Sequence, residues 1–153
     1  MSNNNNSTIL ISNNKKASFL YKLITSYEAG ISLKGSEVKA IRENKVNIKE
    51  SYIIVRKREL FVIGMHIGEY SHAGYSFHEP LRDKKLLLHK NEINKIIKDI
   101  NDVGKTLIPT KMYFKNGKVK LKFYVAKGKK MWDKRQSKKD KDVKRDINRA
   151  MKR

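Results

Sequence analysis

From Met112 to Val125 the chain alternates apolar with mostly basic residues on either side of Asn116-Gly117. Asn-Gly is the preferred pair where a two-residue turn needs positive φ at both positions, so this stretch predicts a tight antiparallel hairpin. Met112, Phe114, Val119, Leu121, Phe123 and Val125 belong to its buried face. Lys115, Lys118, Lys120 and Lys122 belong to the outward one.

The same period of two runs from Leu23 to Leu33, where the odd positions read Leu, Thr, Tyr, Ala, Ile, Leu and Gly30 marks a bend. Tyr52 to Val55 and Leu60 to Ile67 are apolar runs joined by Arg56-Lys57-Arg58-Glu59, which predicts a second hairpin. Helical spacing occurs twice in the body. Ser36 is placed to cap a short helix reaching Arg42, with Val38 and Ile41 inward and Lys39 and Arg42 outward. Ile93, Ile96, Ile97 and Ile100 recur at helical intervals before a stop at Gly104. Many strands with two short helices predict a mainly β fold, a small antiparallel oligonucleotide-binding-like barrel, because closure removes exposed sheet edges.

Charge separates the end of the chain from this body. Residues 127–153 hold thirteen Lys or Arg against four Asp, within a chain of net charge +21. Such an excess repels itself in a compact state and calls for a polyanion, and RNA fits better than an anionic membrane because sustained hydrophobic anchors are missing. Trp132 stands between Gly128-Lys129-Lys130 and Asp133-Lys134-Arg135, an aromatic plane among cations of the kind that stacks on bases and grips phosphates. Val143, Ile147, Ala150 and Met151 would form one narrow apolar stripe on a helix. Like charges oppose that helix in isolation, so the expectation is folding on binding. The organisation expected is a disordered lead over 1–8 that includes the Asn run, a barrel domain over 9–126, and a basic tail over 127–153.

Several chemistries lack their residues. There is no cysteine, hence no disulfide and no thiolate metal site. No apolar run approaches a bilayer span and no signal segment opens the chain, which predicts a cytoplasmic protein. Gly30 to Ser36 has the glycine spacing of a phosphate loop but lacks the lysine such a loop needs. His66, His72 and His78 are six apart, about 20 Å per interval on a strand and too far for one ion. No serine sits in a nucleophile elbow. Neither enzyme chemistry nor a cofactor or metal is expected. Lys84-Lys85-Leu86-Leu87-Leu88-His89-Lys90 reads in two ways, as an element entering the core with solvated flanks or as a basic loop presenting Leu87 to RNA.

Five strings together carry a resemblance. They are Asn14-Lys15-Lys16-Ala17, YEAGISLKGSEVKAIR from Tyr27, HEPLRDKKLLLHKNEI from His78, GKTLIPTKMYFKNGKVK from Gly104 and VAKGKKMWDKR from Val125. In this order and spacing the chain resembles the SsrA-binding protein (small protein B) family, partners of transfer-messenger RNA in bacterial ribosome rescue. The resemblance implies a barrel that binds the transfer-RNA-like domain of that RNA, and a tail that becomes helical on the ribosome, probing the empty message channel at the small-subunit decoding centre. The free protein is then expected to be monomeric, without cofactor. RNA-facing positions would fall on Asn14, Glu28, Leu87 and Lys120, with Lys15, Lys16, Glu37, Lys39 and Arg42 beside them. Ribosome contacts would fall on Lys129, Lys130, Trp132, Asp133, Lys134, Arg135, Ala150 and Met151. Lys84 stands where the family commonly has Arg, which would weaken a bidentate phosphate contact. The rival reading is a constitutive ribosomal-RNA-binding or initiation-factor-like protein.

Overall fold

A computed structural model describes residues 8–72 and 77–129 and, in the tail, Arg135, Lys138, Lys139, Lys141, Asp142 and Arg145. The elements run β1 (Thr8–Asn13), α1 (Ala17–Leu20), β2 (Tyr21–Ile31), α2 (Gly35–Arg42), β3 (Val46–Asn47), β4 (Tyr52–Arg56), β5 (Glu59–Ile63), β6 (His66–Ile67), β7 (Lys84–Leu87), α3 (Lys90–Ile100), β8 (Lys105–Lys115) and β9 (Lys118–Gly128). The strongest hairpin forms as its turn chemistry requires. Asn116 and Gly117 both have positive φ, 52° and 77°, between β8 and β9.

Seven strands form one antiparallel sheet in the order β1-β8-β4-β5-β7-β2-β9, and β9 pairs back onto β8. Six of them therefore close a ring. Strand β8 can serve three neighbours because β9 follows one edge along its length, while β1 takes the Lys111–Lys115 half of the other edge and β4 pairs at Leu107. The expected antiparallel closure is thus met, and β3 with β6 makes a separate two-stranded ladder.

Inside the ring, Val119, Leu121, Phe123 and Val125 of β9 meet Ala29 and Ile31 of β2, Leu107 and Met112 of β8, and Ile53, Leu60 and Val62 of the β4–β5 hairpin. Full burial of side chains of this size contributes about 1.5 to 3 kcal/mol each. Helix α3 adds Ile93 and Ile96 to the same cluster and α2 adds Ala40 and Ile41. Tyr27 stacks on Phe123 at 5.8 Å between centroids and donates its hydroxyl to Asp99 of α3 at 2.6 Å.

Four expectations change. Gly30 lies within β2, paired to β7 and β9, and makes no bend. Leu23 does not share the inward face of Tyr27, Ala29 and Ile31, because a bulge between Leu23 and Thr25 reverses the alternation and sends Leu23 to a small outer cluster with Ala17, Ile108 and Ala126. The run after Leu60 breaks at Gly64 (φ 76°), so the second strand of that hairpin stops at Ile63. Strand β9 continues to Gly128, two residues beyond the expected end of the barrel, and the Lys129 amide still donates to the Leu20 carbonyl at 3.1 Å.

Candidate nucleic-acid interface

With the odd residues of β9 inside, Lys118, Lys120, Lys122 and Tyr124 point away from the core. The antiparallel register sets them in rows across neighbouring strands. One row reads Leu87, Gly30, Lys120, Tyr113 across β7, β2, β9 and β8; the next reads Glu28, Lys122, Lys111; Lys118 and Lys115 pair beside the turn. The result is a continuous outer face with five lysines, two tyrosines and one carboxylate. Lysines at this density on a twisted sheet suit a phosphodiester backbone, and the interleaved aromatic and aliphatic groups suit unstacked bases.

Leu87 is 53% exposed, unusual for a leucine on a strand that also buries Leu86. A Cβ at Gly30 would sit 3.5 Å from Leu87 Cβ and 3.9 Å from Lys120 Nζ. The bare backbone at Gly30 leaves a trough of about 370 Å³ bordered by Leu33, Val38, Leu87, Lys118 and Lys120. Of the two readings of Lys84–Lys90, the strand holds, with Leu87 nevertheless outward. Lys85, His89 and Lys90 are solvated as that reading expects, but Lys84 is fully buried and its ammonium donates to the carbonyls of Met65 and Arg82 at 2.8 Å each. Burial pulls its pKa down to about 8 against the favourable charge of Glu37. Lys84 therefore makes no phosphate contact, and the comparison with Arg there concerns packing.

Glu28 is held on two sides. The Tyr113 hydroxyl donates to one carboxylate oxygen, and Lys115 Nζ lies 3.4 Å from the other. The Tyr113 hydrogen bond, with the Lys115 and Lys120 charges, keeps this carboxyl below its usual range despite partial burial. Burial first, then the Glu28 carboxylate, raises the Tyr113 hydroxyl well above its ordinary value. Glu28 stays ionised and orders the cations around it.

The face continues towards β1. Asn14 is buried, its amide N–H donating to Thr110 and its side-chain nitrogen to the carbonyls of Pro109 (3.3 Å) and Lys49 (3.4 Å). It plugs the bulge in β8 between Pro109 and Lys111. This narrows the expectation for Asn14: its side-chain nitrogen is spent on protein carbonyls, and Lys15 and Lys16 are exposed beside it. A depression of about 300 Å³ over Asn14 and Lys15 reaches Lys111, Lys122 and Tyr124, with Lys122 Nζ 5.7 Å from the Tyr124 centroid.

Glu37 is corrected more strongly. It is fully buried, receives the Lys34 N–H at 2.8 Å and pairs with Arg82 Nη2 at 2.5 Å, so it cannot meet RNA. Burial pushes its pKa up, but the Arg82 hydrogen bond, the Lys34 N–H and the charges of Arg82 and Lys84 outweigh it and leave the pKa below 4.5. Glu37 also explains why Ser36 is not the cap: Lys34 is the capping residue, and the Ser36 hydroxyl bonds buried His78 Nδ1 at 2.9 Å. His78 Nε2 is occupied by the Ile67 and Gly68 carbonyls. Lys39 and Arg42 are exposed on α2, Lys39 Nζ lying 5.4 Å from the Tyr70 ring centre.

Removing one partner of a buried ion pair strands the other, so Glu37→Ala is expected to cost about 3 kcal/mol, checked by denaturant melts. Because the folded pKa is depressed, Glu37 contributes stability above the ordinary 4.5 and loses it as pH falls through the lower folded value. In Glu37→Gln this part of the acid-induced loss is expected to vanish.

In the tail, Arg135, Lys138, Lys139, Lys141, Asp142 and Arg145 are helical, with Arg145 donating to Asp142. Lys130, Trp132, Asp133, Lys134, Ala150 and Met151, named above as ribosome contacts, lie outside the described residues, as do Val143 and Ile147 of the stripe. Among the described residues no helix is long and apolar enough to cross a membrane, and no three His, Asp or Glu gather as metal ligands. Sequence reading missed Lys111, Tyr113 and Tyr124 as members of the face. Their two-residue period places them there only once the register of β8 on β9 is known.

A family model described as SmpB protein matches residues 11–153. An SsrA-binding protein of Gloeothece citriformis (strain PCC 7424) is 48% identical over 154 residues, spanning 100% of this chain and 99% of that protein. Another, of Trichodesmium erythraeum (strain IMS101), is 48% identical over 144 residues, 94% and 92% of the two chains. A chain of the solved structure described as "tmRNA-SmpB: a journey to the center of the bacterial ribosome" is 37% identical and has a TM-score of 0.65, covering 78% of this chain and 85% of that one.

Proposed function

We infer, because the chain belongs to the SmpB protein family, that it is a cytoplasmic RNA-binding protein that carries transfer-messenger RNA to stalled ribosomes for trans-translation. The row Leu87, Gly30, Lys120, Tyr113 and its flanking lysines carry this reading. Lysines neutralise phosphates of the transfer-RNA-like domain and release counterions, while Leu87 and Tyr124 offer apolar surface to unstacked bases or sugars. Glu28 acts through Lys115 and Tyr113, which it holds in place. Lys15, Lys16, Lys39 and Arg42 widen the cationic border. The barrel supplies placement and performs no bond-making chemistry; peptide transfer belongs to the ribosome. The tail, helical at its described residues Arg135, Lys138, Lys139, Lys141, Asp142 and Arg145, enters the message channel, and an intact message excludes it by volume.

Purification from its own cells with sequencing of the bound RNA tests the assignment. One dominant transfer-messenger RNA is the expected result, and bulk ribosomal RNA would instead identify a constitutive ribosome-binding protein. Within the face, Lys120→Ala is expected to weaken binding to the isolated transfer-RNA-like domain and to reduce the slope of log affinity against log salt by about one. Glu28→Ala is expected to weaken it too, although removal of a negative charge from a cationic face should by charge alone strengthen it. Stronger binding would reduce the face to an unspecific charge patch.

A further inference from the structure

Strand β1 lacks the usual protection of a sheet edge. Among the described residues it pairs with β8 alone, so its other edge is open. Lysine or proline commonly blunts such an edge, yet β1 reads Thr-Ile-Leu-Ile-Ser-Asn and carries no charge. Leu10 is 56% exposed and stands directly opposite Tyr113. Residues opposite each other in an antiparallel pair share a face. Leu10 therefore extends the outer row to a fifth strand, as Leu87, Gly30, Lys120, Tyr113, Leu10, with a half-exposed leucine at each end and the lysine at its centre. Four inter-strand steps separate the two leucines, about 19 Å along the sheet, further than one base can reach. Cations frame Leu10 on this face, since Thr8 lies opposite Lys115 and Asn13 opposite Lys111. An apolar group between phosphate-binding side chains suits a nucleotide turned out of its stack. A second copy of the chain suits it less, because β1 laid on β1 would bring together the Lys111 and Lys115 of two molecules, each of net charge +21.

We propose that Leu10 is a further RNA contact, packing against an unstacked nucleotide of the transfer-RNA-like domain other than the one that meets Leu87. This rests on the RNA-binding reading of the β2–β9–β8 face. Lys120 holds phosphate between the two leucines, and β1 sets how far along the face the RNA is gripped.

Leu10→Thr keeps a residue suited to a strand while removing most of the apolar side chain. Affinity for the isolated transfer-RNA-like domain is expected to fall about fivefold. The thermal midpoint and the slope of log affinity against log salt are expected to stay unchanged, because a half-exposed leucine supports little of the core and neutralises no phosphate. Placement is read directly. The chain has no cysteine, so Leu10→Cys and Leu87→Cys can each carry a single tethered iron chelate that cleaves nearby RNA by hydroxyl radicals. Cuts at different nucleotides are expected from the two positions. Wild-type affinity in Leu10→Thr overturns the proposal, as do absent cleavage from position 10 or cuts from both positions at one nucleotide. A wild-type dimer in sedimentation that Leu10→Thr dissociates, with RNA affinity unchanged, would make a second copy the occupant and overturn it too. The RNA-binding reading fails separately, if Lys120→Ala leaves the transfer-RNA-like domain slope unchanged.

Discussion

A chain stopped after Gly128 is expected to keep its fold and its affinity for the transfer-RNA-like domain while losing tagging of stalled ribosomes. The cut removes twelve Lys or Arg and four Asp. Among the described residues it touches none of the core, whose last β9 contributors are Val125 and Ala126. Among the described residues the cut removes the hydrogen bond of the Lys129 amide to the Leu20 carbonyl, worth about 1 kcal/mol. Separate measurements of thermal midpoint, RNA affinity and peptide tagging check the three parts. Wild-type tagging by the shortened chain would leave the tail as a solvated charge run and remove the message-channel mechanism.

Leu87→Asp is expected to reduce affinity for the transfer-RNA-like domain by at least tenfold, about 1.4 kcal/mol, without unfolding the barrel. The side chain is half exposed, so the core does not register the change. A carboxylate there would stand over Gly30 within reach of Lys120, drawing that ammonium from phosphate and placing negative charge in the row that meets RNA. Leu87→Ala separates the two effects, since it removes apolar contact and adds no charge. Affinity of the Asp variant equal to that of wild type would place this row outside the RNA interface.

The β8–β9 hairpin was legible because Asn116-Gly117 and strict alternation are local statements, decided within a dozen residues. The isoleucines of α3 were legible for the same reason, since their helical interval needs no partner to be seen. Local pattern misjudged Leu23, and it did not speak to Glu37, which only the resemblance placed beside RNA. A bulge opposite β9 reverses the parity of Leu23, and the charge of Glu37 is buried because Arg82, forty-five residues away in sequence, arrives to pair with it. Lys84 misled in the same way, as its carbonyl partners come from a loop that no periodicity describes.

Sequence alone determined the strand content, the strong turn, the surplus of positive charge and the set of strings that mark the family. Each of these depends on residue type and short spacing. Tertiary structure decided which lysines stand together, which carboxylate orders them, and which apparent surface groups are sealed inside. Those outcomes depend on register between strands distant in the chain. A one-residue shift in pairing would turn the lysine face into the core, and the burial of Val119, Leu121, Phe123 and Val125 is what forbids it.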